Sequence, residues 1–166
     1  MEYAIYTGIG IVVIILFVIL FCILNLKDTE NKLDMAITKL MEIFNTEREY
    51  LVEEIDIIHE DEATKELIFS YEFDIFKYDQ ELYEKRKVIS NLITEKSNDE
   101  LDEIEKKLVL LTENMEGLKD FYNSNAKNFN YAFNKIPLKY IYKLFRFKEK
   151  TLFNHRKITE FEILND

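Results

Sequence analysis

The feature that most constrains this chain is an uncharged run from Tyr3 to Leu26, YAIYTGIGIVVIILFVILFCILNL, closed by Lys27. As a helix its 24 residues reach roughly 36 Å, enough to cross a hydrocarbon core of about 30 Å with some tilt. A helix apolar on every face needs a large protein around it or a bilayer, and 166 residues supply no such protein. A cleaved signal would need a basic leader, a shorter apolar core and a small-residue cleavage site. Met1-Glu2 and Asn25-Leu26-Lys27 provide none of these. The expectation is a retained transmembrane anchor over residues 1–26, followed by a soluble unit over 27–166.

Basic residues near the ends set the expected orientation. Lys27, Lys32 and Lys39 follow the run and none precedes it, which places the N-terminus outside and the C-terminal unit in the cytoplasm, at a cell (inner) membrane. Tyr3 and Tyr6 suit the outer interface, where a ring sits among headgroups with its hydroxyl wet. Gly8 and Gly10 are spaced as GxG, so they predict no close helix pairing. Cys22 reads as a small hydrophobe near the inner end, with palmitoylation the alternative.

Past the anchor the pattern is helical throughout. Apolar residues recur in steps of three and four at Leu33, Ile37, Leu40, Phe44, Leu51, Ile55 and Ile58, then at Ile68, Tyr71, Ile75, Tyr78, Leu82, Ile89 and Leu92. A third series runs through Leu101, Ile104, Leu108, Leu111, Met115, Leu118, Tyr122, Phe129, Ala132 and Ile136, with Asn125 as its polar interruption. Those steps exclude the alternation of strands, and three Gly and one Pro are too few for a turn-rich β fold. The predicted fold is all-α: an anchor, then an antiparallel bundle with helices about 28–58, 62–95, 98–136 and 138–153. Asp61 and a Ser97-x-x-Glu100 capping box mark helix starts, and Pro137 a stop or kink. Short connections make consecutive helices antiparallel. The third series keeps a heptad rhythm, which implies left-handed supercoiled packing.

Charge is segregated. Residues 27–134 carry a net −13, and residues 135–156 a net +6. The acidic body reads as a solvated outer face. In the basic segment, Leu138, Ile141, Leu144, Phe145 and Leu152 form one apolar side among cations. That segment fits a short helix closing the bundle, or a membrane-surface helix in which Lys139, Lys143, Arg146 and Lys148 contact anionic lipid. Nucleic acid is not an expected partner, because the chain as a whole repels phosphate.

Chemistry is sparse. Asp56-x-x-His59 occurs once, where a ferritin-type dinuclear centre needs two Glu-x-x-His motifs. His59 and His155 are too few for a zinc site, and the one Cys lies in the apolar run. Carboxylate pairs such as Glu53-Glu54 are common, with nothing in the sequence marking one as buried. No catalytic, cofactor or metal residue is predicted, and the expectation is a protein that is not an enzyme. Asn123, Asn125, Asn130 and Asn134 crowd the third helix, where Asn is unfavourable, so they are expected to make register-setting hydrogen bonds between helices.

Tyr122-Asn123, then Phe129-Asn130 seven residues on, then Ile136-Pro137, then Leu144-Phe145-Arg146-Phe147-Lys148 resembles the C-terminal signature of the LemA family. Thr112-Glu113-Asn114 resembles a triplet that precedes it. The likeness covers about residues 112–153. It implies a bacterial, membrane-anchored helical bundle with no established catalytic activity in the family. Tyr122, Asn123, Phe129, Asn130, Pro137, Phe145 and Phe147 then take a structural role, on a face that receives the last helix. The functional expectation is a scaffold or docking module for a protein partner, with self-association possible. The alternative is a membrane-surface organiser acting through residues 138–153.

Overall fold

The computed structural model of the chain is all-α and describes residues 2–58, 74–93, 99–133, 135 and 138–154. Among these residues there are four helices: α1 (Glu2–Ile58), α2 (Ile75–Ile93), α3 (Asp99–Phe133) and α4 (Leu138–Phe145). The expectations at Asp61, His59, Ile68, Tyr71, Ser97, Asn134, Ile136, Pro137 and His155, and that for the Leu92 side chain, lie outside the described residues.

α1 joins the apolar run to the first soluble helix without a break. No Gly or Pro stands between Phe21 and Ile58 to interrupt it. The segment is long and apolar enough to cross a membrane, and the bundle buries almost none of it. The Thr7 hydroxyl donates to the Tyr3 carbonyl at 2.7 Å, so its polar group is satisfied within the helix. From Leu26 onward one stripe of α1 turns inward. Leu33, Leu40, Phe44, Leu51 and Ile55 are buried, each such side chain contributing about 1.5–3 kcal/mol.

α3 runs antiparallel to α1: Ile104 shares a groove with Ile57, Leu118 borders Ala36, and Ala132 lines a cavity with Cys22. Residues 62–73 of the predicted second helix lie outside the described residues. The described α2 is capped by Asp74, its Oδ1 accepting from the Phe76 amide at 3.0 Å. It differs from its prediction in running parallel to α1. The Tyr78 ring meets Phe44 at 6.1 Å, and Arg86 reaches forward to Glu47 at 3.8 Å. An antiparallel α2 would put Arg86 more than two turns of α1 in the other direction, beyond side-chain reach. Toward α3 it is antiparallel, as expected, with Asp79 against Lys119 and Arg86 against Thr112.

The buried stripe of α3 departs from its predicted heptads. Leu101, Ile104, Leu108, Met115, Tyr122 and Phe129 are buried as expected, but Leu111 and Leu118 are only half-buried. Thr112, Lys119 and Ala126 take the inward positions instead. Asn125 is not the core's polar interruption: it donates to the Phe121 carbonyl of its own helix at 2.7 Å. The interruption is a charged layer. Lys119 is fully buried and binds Asp79 at 2.8 Å and Glu116 at 3.0 Å. A turn or two further from the membrane segment, Arg86 bonds to Thr112 and faces Glu47, joining three helices. The acidic body is therefore not wholly a solvated face, because Glu47, Glu54, Asp79 and Glu116 are buried in it.

The basic segment is not one helix. α4 stops at Phe145, Arg146 takes a left-handed φ of 57°, and residues 147–154 continue outside any helix. The Phe147 amide returns to the Tyr142 carbonyl at 3.1 Å and the two rings meet at 5.5 Å. These are the backbone bond and apolar contact of a Schellman stop. Leu144 and Leu152 are exposed, so the predicted single apolar side does not form.

Removing one member of the charged layer leaves a buried ion uncompensated. Lys119→Ala should lose about 3–5 kcal/mol of stability, whereas Lys119→Met combined with Asp79→Leu and Glu116→Leu should be near neutral. Thermal unfolding of the full chain, followed by helical circular dichroism, checks both.

Candidate functional site

The residues of the LemA-like motif fall into two aromatic clusters at the end of the bundle nearest the apolar run. Tyr122 packs against Phe153 at 5.2 Å and Phe76 at 6.1 Å, and Phe76 stacks on Phe153 at 4.4 Å. Phe129 meets Tyr142 at 5.0 Å and Phe147 at 5.9 Å, and Phe145 sits at the edge, 6.4 Å from Phe147. Pro137 lies outside the described residues.

Between these clusters runs a strap, residues 147–154. Asn130 donates to the Lys150 carbonyl at 2.8 Å and accepts from the Lys150 amide at 2.9 Å. Asn123 makes the same pair with Phe153, at 3.0 and 2.8 Å. The spacing has a geometric cause. Seven helical residues rise about 10.5 Å, and three extended residues cover about 10 Å, so the spans of the two partners match in length and both Asn can engage the strap at once. Each Asn offers one donor and one acceptor to a backbone that has no other ladder. This face receives the last helix at Phe129, where Tyr142 packs, and the strap at Tyr122, Asn123 and Asn130. The bonds of Asn123 and Asn130 are side chain to backbone of the strap rather than helix to helix.

The strap is also tied to α1. Lys150 Nζ binds Glu30 at 3.0 Å and lies over the Phe129 ring at 5.7 Å. Tyr142 donates its hydroxyl to the Phe129 carbonyl at 2.7 Å. Burial, with the Glu30 charge nearby, pushes that phenol up to about 12, so it stays a donor at any physiological pH. Burial raises Tyr122 as well, with Asp34 adding to it. Of the candidate lipid contacts, Lys139, Lys143, Arg146 and Lys148 are all exposed.

One titratable group escaped the sequence reading. Glu54 is 2% exposed, and its carboxyl is raised from 4.5 to about 7. Desolvation is the main cause; Arg86 opposes it, and Glu105 and Glu53 add to it. Its place in the 3-4 stripe beside Leu51 and Ile55 was the available signal, masked by the Glu-Glu pair. A groove of about 560 Å³ lies nearby, bordered by Glu53, Asp56, Glu100, Glu103 and Lys107. Lys107 pairs with Glu103 at 3.2 Å, which raises its pKa. Among the described residues no group of three or more His, Cys, Asp or Glu is placed to hold a metal ion.

Comparison with protein-family models, curated proteins and solved structures finds no match, and the LemA resemblance stands on its motif residues alone.

Glu54 binds its proton more tightly in the fold than in the unfolded chain. Its contribution is complete below pH 4.5 and is lost as pH rises to about 7. Glu54→Gln should remove that descending limb and be more stable than the parent at about pH 8, by an amount of the order of 2 kcal/mol. Melting curves across that range test the sign. Replacing Asn123 and Asn130 by Ala strands the strap's amides and carbonyls, at about 1–3 kcal/mol each. Limited trypsin digestion should then cut at Lys148 and Lys150 well before the bundle, while Asn125→Ala leaves the pattern unchanged.

Proposed function

We propose that this chain is a non-enzymatic, single-pass protein of a bacterial cell membrane, LemA-like in architecture, whose bundle is a scaffold or docking module for a protein partner. The observation that carries this reading is the continuity of α1 from the apolar run into the buried core of the bundle. A single helix in both roles couples the bundle to the anchor without a flexible joint, so exposed bundle faces are held at fixed heights from the bilayer. About 32 residues of α1 beyond Leu26 give a reach of roughly 48 Å. Lys27, Lys32 and Lys39 favour a cytoplasmic bundle with the N-terminus outside.

The test uses the full chain in bacterial cells. A photo-crosslinking residue replaces Glu84 or Glu103, both exposed on the acidic body. In a Cys22→Ser background, Glu2→Cys and Glu100→Cys report sidedness to a membrane-impermeant thiol reagent. The expected outcome is one reproducible protein partner, with position 2 labelled from outside and position 100 protected until the cells are opened. Capture of the chain alone overturns the docking reading in favour of a homo-oligomer. Labelling of position 100 in intact cells overturns the orientation.

A further inference from the structure

α4 presents two different faces. Toward the bundle it turns Ile141 and Tyr142, both buried, and half-buried Leu138. At 100° per residue the opposite side carries Lys139, Tyr140, Lys143 and Leu144. All four are exposed, Tyr140 at 66% and Leu144 at 77%. Phe145, 46% exposed, ends the helix, and the exposed cations Arg146 and Lys148 follow. An aromatic and an aliphatic side chain held outward between cations cost free energy in water and gain it at a lipid headgroup boundary.

The height of α4 supplies the second observation. Leu138 shares a cavity of about 300 Å³ with Cys22, Asn25, Leu26 and Ala132. Tyr142 is bonded to Phe129, and the chain is back against α3 by the Asn130–Lys150 pair. Leu138, Tyr142 and Lys150 therefore all meet one turn of α3, Phe129 to Ala132, roughly 5 Å of its length. That level faces Cys22 to Glu30 of α1. There the uncharged run ends at Leu26 and the first charges, Lys27 and Asp28, begin. The bundle also half-buries Ile19, Cys22 and Ile23, so its end abuts the last turns of the apolar run. When α1 crosses a bilayer, α4 lies at the headgroup plane of the leaflet that α1 leaves.

We propose that α4, with Arg146 and Lys148, is a second membrane contact that recognises anionic lipid: Tyr140 and Leu144 enter the acyl boundary and the four cations meet the headgroups. The occupant follows from charge and position together. A +6 segment on an otherwise acidic chain sits at the one level where α1 delivers it to a lipid surface. The contact would fix the rotation of the bundle about α1, which an anchor of one helix leaves free. It rests on α1 crossing the bilayer, independently of any protein partner.

The test reconstitutes the full chain, in a Cys22→Ser background, into phosphatidylcholine vesicles with or without phosphatidylglycerol. Nitroxide labels are placed singly at Leu16→Cys, Leu144→Cys and Leu110→Cys, all exposed positions. Power-saturation compares collisions with oxygen, which concentrates in lipid, and with a water-soluble nickel chelate. The expected result is a lipid-like ratio at position 16 in both vesicles, a water-like ratio at 110, and a lipid-like ratio at 144 with phosphatidylglycerol present. Each cation contributes about a fivefold preference near an anionic surface. Replacing Lys139, Lys143, Arg146 and Lys148 by Gln, or raising the salt, should return position 144 toward water without changing helical content. A water-like ratio at 144 in anionic vesicles, with position 16 still in lipid, overturns the proposal and leaves the anchor standing. Protection at 144 that ignores lipid charge and disappears on dilution assigns the face to a second copy instead. A water-like ratio at position 16 overturns the anchor itself.

Discussion

The register of the bundle depends on a lysine with no access to solvent. Lys119 sits among α2 and α3 with Asp79 and Glu116 as its counter-ions. A buried ammonium is costly unless its ligands stand within hydrogen-bond distance, so a slip of α2 along α3 by one turn would break the contact. Leu and Ile stripes alone tolerate such slips, because one apolar turn resembles the next. Arg86, bonded to Thr112 and facing Glu47, repeats the constraint two turns along and brings α1 into it. Two charged contacts spaced along α2 fix both its height and its direction. They are the reason α2 lies parallel to α1.

The end of the bundle nearest the apolar run is fixed by a different device. There the fourth layer is supplied by α4 and then by an extended strap. An extended strap exposes amides and carbonyls that no neighbouring strand can pair. Asn123 and Asn130 stand in for that missing strand, and the match of two helical turns to three extended residues lets both engage at once. The aromatic rings on either side, Tyr122 with Phe153 and Phe129 with Phe147, exclude water from these bonds. Lys150 reaching Glu30 carries the closure across to α1. At the distal end, burial raises the Glu54 carboxyl to about 7.

These two devices give the architecture its functional logic. In the proposed function the unbroken α1 transmits the position of the anchor, the charged layer holds the helices in register, and the strap closes the end of the bundle beside the apolar run. The acidic residues of the bundle extend away from the apolar run, and the basic, partly apolar α4 lies beside its end. That division follows the charge segregation along the chain, and in the proposed function it separates a protein-facing region from a lipid-facing one.

Much of this was legible in the residues. The uncharged run, the 3-4 spacings and the scarcity of Gly and Pro establish a helix long and apolar enough to cross a membrane, further long helices and an all-α fold, because helical periodicity and hydropathy are local properties. The Tyr122-Asn123 and Phe129-Asn130 pairs could be placed on one helical face by their spacing alone. What that face binds could not. The stop at Arg146 carries no Gly to announce it and depends on Phe147 finding Tyr142, so the strap emerges only from packing. Nor could spacing distinguish Leu118 from Lys119 as the inward residue, since the two differ by a single step of the helix and only the positions of Asp79 and Glu116 decide between them. The direction of α2 and the raised carboxyl of Glu54 have the same origin. The sequence by itself determined which segments are helical and which surfaces are charged. The tertiary structure decided which charges are buried, because desolvation depends on neighbours far apart in the chain.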